Sequence, residues 1–161
     1  MTAARTKVLA AVGALAAVAL GSVVWLGLAP DDAQVELRPA DTATVATGKS
    51  VYEEHCASCH GANLEGQVNW RERLPSGRLP APPHDRTGHT WHHPDAQLFD
   101  ITKRGPAAVV GGSYESDMPG FDGVLSDAEI IAVLSYIKST WPASIRARHD
   151  DLNRRARADG K

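Results

Sequence analysis

The residues best suited to chemistry in this 161-residue chain are Cys56-Ala57-Ser58-Cys59-His60. Two thiols three positions apart sit about one helical turn from each other. Both can therefore reach the two vinyl groups on one edge of a porphyrin and form thioethers. A His directly after the second Cys falls beneath that macrocycle, where its imidazole can bind iron. C-x-x-C-H thus reads as the attachment site of one covalent haem c. Cys56 and Cys59 are the only cysteines, so no Cys-rich zinc or iron–sulfur set exists. A redox-active C-x-x-C needs alternating strands and helices, a pattern this chain lacks, and a structural disulfide leaves His60 without a role.

Iron held by His60 has a sixth position to fill. Met1 is at the wrong end of the chain, which leaves Met118 in Asp117-Met118-Pro119-Gly120-Phe121. Pro119 holds Met118 in extended backbone, which suits a loop presenting a thioether sulfur to a metal. The rival role for Met118 is filling a core gap. One of His84, His89, His92 and His93, clustered in the long central loop, is an alternative sixth ligand. Those histidines could also hold a second metal, copper or zinc, or simply be polar loop structure. With His60 and Met118 as axial ligands, both faces of the iron are closed by protein. Such a site transfers electrons and does not activate oxygen or peroxide.

Elements must hold these groups. A first helix is expected from about Thr47, carrying Val51, Tyr52 and Cys56 on one face and stopping at Gly61. Residues 61–93 contain Pro75, Pro80, Pro82 and Pro83 and read as a long irregular loop around the haem edge. A second helix fits Pro94 to Arg104, with Leu98, Phe99 and Ile101 inward and Gly105 just beyond it. The third is announced by a capping box, Ser126-Asp127-Ala128-Glu129. Ile130, Ile131, Val133, Leu134 and Ile137 form its apolar stripe, and Pro142 closes it. From Ser144 onward a short charged helix of low stability is expected. No strand pattern or internal repeat is present.

Aromatic residues make up only 6% of the chain, few for a core built from side chains alone, and a buried haem would supply the missing apolar surface. Residues 31–140 carry 9 basic and 16 acidic side chains, and residues 141–161 carry 6 basic and 3 acidic. The acidic body argues against a nucleic-acid partner. The Arg-bearing tail reads as a solvated helix end, or as a docking or lipid-headgroup contact. At the N-terminus, Arg5 and Lys7 precede an uncharged stretch from Val8 to Leu28. As a helix it would span about 31 Å, close to the hydrocarbon thickness of a bilayer. Gly27-Leu28-Ala29 has the small-x-small form of a cleavage site, but Pro30 follows it. An uncleaved anchor is therefore favoured over a cleaved signal, with the remaining chain outside the membrane.

The run Gly48-Lys49-Ser50-Val51-Tyr52-Glu53-Glu54-His55-Cys56-Ala57-Ser58-Cys59-His60-Gly61, with Asp117-Met118-Pro119 and Ser126 through Lys138, resembles a class I c-type cytochrome of the small membrane-anchored bacterial monohaem kind. The resemblance covers residues 46–140. It implies an all-α fold of three to four helices wrapped around one covalent haem c. It also implies that the first and last helices cross, with Gly48 against the Val133–Tyr136 face and Tyr52 beside it. A proline carbonyl would orient the proximal His, making Pro82 or Pro83 the candidate. Haem propionates would meet the Trp91 indole N–H and the charges of Arg73, Arg78 or Arg104. The 57 residues between His60 and Met118, and the tail, exceed what a small cytochrome needs.

The expected organisation is an anchor at 1–29, a linker at 30–45, a cytochrome c domain at 46–142 and a charged tail at 143–161. The expected function is one-electron transfer in a respiratory chain, on the outer, periplasmic face of a bacterial inner membrane. It has redox-protein partners (a quinol–cytochrome c oxidoreductase, a terminal oxidase or another periplasmic redox protein) and no small-molecule substrate, and it is not an enzyme. Two alternatives stand: a fixed haem subunit or assembly factor of a terminal oxidase, and a haem enzyme or sensor with an open sixth position.

Overall fold

The computed structural model describes residues 35–160. The proposed anchor, Val8–Leu28, lies outside them. Among the described residues no helix is long and apolar enough to cross a membrane, and the secondary structure is entirely helical.

Helix α1, Thr42–His55, begins five residues before the sequence-based expectation. The reason is its cap. Asp41 is extended, and its carboxylate accepts hydrogen bonds from the Ala43 and Thr44 amides at 3.0 and 3.2 Å. Residues 42–45, expected in a linker, are therefore the first turn of α1. The chain breaks stride at Cys56, and a single turn, α2 (Ala57–His60), completes the C-x-x-C-H segment. Gly61 ends it at φ +83°, a conformation a side chain would strain.

After an irregular stretch come a 3₁₀ turn at Thr90–His92, α3 (Asp95–Arg104) and α4 (Pro106–Val110). Helix α5, Asp127–Ser139, carries the full capping box: Ser126 Oγ accepts from the Glu129 amide, and the Glu129 carboxylate accepts from the Ser126 amide at 2.8 Å. Its buried face, Ile130, Val133, Leu134 and Ile137, packs on Val51 and Tyr52 of α1 in one apolar core. The α1–α5 pair is the most extensive helix contact among the described elements. Gly48 makes it possible: a Cβ there would lie 1.9 Å from the Ala132 carbonyl oxygen and 2.9 Å from Tyr136 Cβ.

The tail departs most from expectation. Helix α6 runs 17 residues, Ala143–Asp159, capped by the same Pro142 that follows α5. It is docked, not merely solvated: His149 and Asn153 are buried, 0% and 4% exposed. His149 Nε2 donates to the His93 carbonyl at 2.8 Å. The Asn153 amide donates to Asp95 Oδ1 at 3.0 Å, and its carbonyl accepts the Asp95 N–H at 2.7 Å. Asp95 also accepts the Leu37 N–H at 3.0 Å, which ties the segment before α1 to the same cluster. Lys138 of α5, only 4% exposed, pairs with Asp150 at 2.7 Å and lies 3.9 Å from Asp95. Polar groups this deeply buried are tolerated because each finds partners.

Candidate functional site

The two thiols sit at the α1–α2 break, Cys56 partly buried and Cys59 exposed. Burial pushes the Cys56 thiol up to about 11. His60 ends α2 and is 6% exposed. Its Nδ1–H donates to the Pro82 carbonyl oxygen at 2.8 Å. This bond fixes the tautomer and leaves Nε2 as the free lone pair, the arrangement expected of a metal-binding imidazole. Burial holds His60 below the ordinary imidazole range, only partly opposed by the Pro82 bond. Of the two prolines the sequence left open, Pro82 makes the bond. Pro83 is buried instead, its backbone against Gly66 and Gly88.

Local structure explains how a long loop holds this geometry. The Gly66 amide donates to the His60 carbonyl at 2.7 Å and the His84 amide to the Leu64 carbonyl at 2.8 Å. Gln67 clasps Ala81 twice: its amide donates to the Ala81 carbonyl, and its side chain accepts the Ala81 N–H, both at 2.8 Å. Residues 68–80 therefore form an excursion closed at its neck, and Pro82 is returned beside His60. Tyr52, fully buried, donates its hydroxyl to the Gly61 carbonyl at 2.8 Å, pinning the end of the C-x-x-C-H turn to α1.

Met118 is half-buried against the core, and its amide donates to Ser116 Oγ at 3.1 Å. Its loop is braced from both sides. Gly120 rests on the Arg104 carbonyl, and Arg78 reaches Asp117 at 2.5 Å and Glu115 at 3.3 Å. Arg78, expected near a propionate, thus links the excursion to the Met118 loop. Arg73 donates to the Gly77 carbonyl at 2.6 Å inside its own turn, beside a polar cleft of about 500 Å³. Arg104 pairs with Asp100 at 3.0 Å. All three arginines already have protein partners. Trp91 does not: its Nε1–H is buried with no acceptor. A buried donor left unmatched is costly unless something outside the polypeptide accepts it.

Among the described residues, no group of three or more His, Cys, Asp or Glu side chains is arranged to hold a metal ion. The loop histidines are dispersed over separate tasks. His89 stacks on Trp70 at 5.4 Å, His92 stacks on Trp91 at 3.7 Å, and His93 lies 3.3 Å from Gln97 Oε1. His84 stacks face to face on His60, with ring centroids 4.0 Å apart and planes 25° apart. Burial holds His84 well below the usual imidazole range, with His60 adding to the effect. Sequence reasoning missed this stack, because no pattern links residues 60 and 84. It also missed the α6 dock, although Ile145, His149, Leu152 and Asn153 recur at helical spacing inside an otherwise charged segment.

The cytochrome c family model matches residues 45–141. The chain is a member of the cytochrome c family. Its family implies a covalently bound haem c, and the donor set fits one: two cysteines a turn apart, a buried imidazole whose Nδ1–H is bonded to Pro82 and whose Nε2 is unclaimed, and the orphaned Trp91 donor. The cytochrome is 31% identical to the cbb3-type cytochrome c oxidase subunit CcoP of Azospirillum sp. (strain B510), over 62% of this chain and 30% of that protein. It is 33% identical to the CcoP of Azospirillum brasilense, over 62% and 30% respectively. For the CcoP of Rhodobacter capsulatus the identity is 31%, over 63% and 31%. The chain thus spans under a third of the length of these relatives. No solved structure matches it.

Proposed function

We propose that this cytochrome carries single electrons between respiratory partners, with haem c bound through Cys56 and Cys59 and with His60 and Met118 as the iron ligands. The observation that carries the reading is the placement of His60: buried, its Nδ1–H held by the Pro82 carbonyl, and directly after Cys59 in C-x-x-C-H. When bound, haem c supplies a ferric/ferrous couple whose potential is set by its axial ligands and surroundings. The polypeptide's part is to hold both ligands still. Pro82 and His84 restrain the imidazole, and Ser116, Asp117 and Gly120 shape the loop that offers the Met118 sulfur. A rigid donor set lowers the rearrangement that accompanies each change of iron charge. Trp91 offers an indole N–H to a propionate.

The reading includes a tether at residues 8–28 that holds the domain on the periplasmic face of a bacterial inner membrane, confining its search for partners to two dimensions. Net negative charge over residues 31–140 supports partners with a basic docking patch and association that weakens with salt. Similarity to CcoP supports a second reading, a fixed subunit beside a terminal oxidase. Stoichiometric co-purification with an oxidase complex would favour that second reading over a mobile carrier.

The test of the ligand set is absorption spectroscopy of detergent-extracted holoprotein, oxidised and reduced. A low-spin spectrum, a weak far-red sulfur-to-iron band and indifference to carbon monoxide are expected. A high-spin ferrous form that binds carbon monoxide would replace this reading with an open sixth position.

A further inference from the structure

We infer that His84 is a positioning residue for the iron ligand: its ring, stacked on the His60 imidazole, sets the plane in which that imidazole lies. The inference rests on His60 being the proximal ligand. One hydrogen bond cannot set that plane. The Nδ1–H bond to Pro82 and the Cβ attachment aim the His60 ring, but a hydrogen bond tolerates appreciable misalignment before it weakens steeply, so the ring plane can still tilt. A flat neighbour against its face removes that freedom, and His84 provides one, 4.0 Å away and within 25° of parallel.

His84 is itself immobilised from three directions. Its amide donates to the Leu64 carbonyl at 2.8 Å. Its carbonyl accepts the Trp141 indole N–H at 2.8 Å. Its Nδ1 pairs with the Thr90 hydroxyl at 2.8 Å, and Thr90 is 6% exposed. These partners come from the C-x-x-C-H side of the loop, from the 3₁₀ turn and from the α5–α6 junction, so the ring is fixed relative to the whole domain. A residue that only filled space would need no buried hydroxyl to orient it. The imidazole plane decides how the ligand's π orbitals meet the metal, so holding it tunes the centre as well as stabilising it.

The experiment compares His84→Phe, His84→Leu and Thr90→Val with wild type, each as matured holoprotein. The readout is the pattern of hyperfine-shifted haem-methyl resonances in the ferric state, which responds to the orientation of the axial ligands and is not moved by a change in stability alone. Covalent haem in wild type, seen by haem stain on a denaturing gel, is checked first; its absence would overturn the ligand reading and this inference with it, whereas covalent haem with unchanged shifts overturns the inference alone. His84→Leu is expected to change the order or spread of the methyl shifts, while His84→Phe, which keeps a flat ring, moves them less. Unchanged shifts in His84→Leu, whatever its melting temperature, overturn the inference. If His84→Leu does not mature, Thr90→Val decides: it frees the ring edge without removing the ring, a changed pattern supports the role, and an unchanged one refutes it.

Discussion

Replacing Gly48 by Ala sets two effects of opposite sign against each other. Gly48 lies inside α1, where Ala is the better helix former by about 1 kcal/mol, so helix propensity alone makes Gly48→Ala stabilising. Tertiary packing opposes this. The new Cβ would lie 1.9 Å from the Ala132 carbonyl oxygen and 2.4 Å from its carbon, against an ordinary contact of 3.4 Å or more. The obstacle is backbone on α5 and cannot rotate away. Relief requires the helices to part by about 1.5 Å, and a gap of even 0.5–1 Å forfeits a quarter to a half of the dispersion energy of the facing atoms. Those atoms belong to Val51, Tyr52, Ile130 and Val133, the centre of the core. Overpacking of this kind costs about 1–3 kcal/mol, and a backbone clash belongs at or above the upper end. The net expectation is destabilisation by about 2 kcal/mol or more, or a melting temperature lower by at least about 8 °C in a domain of this size. The assay is denaturant and thermal unfolding of the holoprotein beside Ser50→Ala, an exposed α1 substitution without a clash, expected to be neutral or slightly stabilising. A Gly48→Ala protein as stable as wild type, or more so, would show that α1 and α5 do not approach as described.

Other expectations concern separate parts of the molecule. Met118→Ala should leave the haem covalently attached but make it high-spin with a lower potential; an unchanged absorption spectrum would remove Met118 from the iron. Cys56→Ala or Cys59→Ala should reduce covalent haem, read as lost haem stain on a denaturing gel. Asp95→Ala leaves the buried Leu37 amide without its acceptor, while the Asn153 side-chain amide keeps the His149 carbonyl at 3.1 Å and Lys138 keeps Asp150 at 2.7 Å; it should cost about 1–3 kcal/mol in chemical unfolding and expose α6 to limited proteolysis. Backbone hydrogen bonds, chiefly from Thr44, hold the Asp41 carboxyl below the ordinary carboxylate range, so its stabilisation is present above the unfolded-state pKa and is lost as pH falls through the lower folded one. Asp41→Ala should therefore be less stable than wild type at pH 7, with the gap closing on acidification below about pH 4; a gap independent of pH would contradict the cap.

What was legible in the chain was local chemistry. C-x-x-C-H, the Ser126–Glu129 capping box, the Gly105 stop and the Pro-rich irregular loop each depend on residues within one or two turns of one another, and each stands where the pattern put it. The start of α1 was misplaced because the apolar face begins after the cap, so periodicity missed Asp41. The choice between Pro82 and Pro83 depended on how the loop closes at Gln67 and Ala81, a contact fourteen residues long in sequence. The tail misled because composition counts charges and cannot say which side chains meet a partner. Five arginines mark α6 as solvated, while two uncharged polar residues, His149 and Asn153, dock it on groups 56 and 58 positions away. The His60–His84 stack has the same origin. Covalent reactivity and helix capping are written in neighbouring residues; the stacking of two imidazoles and the seat of a terminal helix arise only when chain closure brings distant polar groups together and burial obliges them to pair.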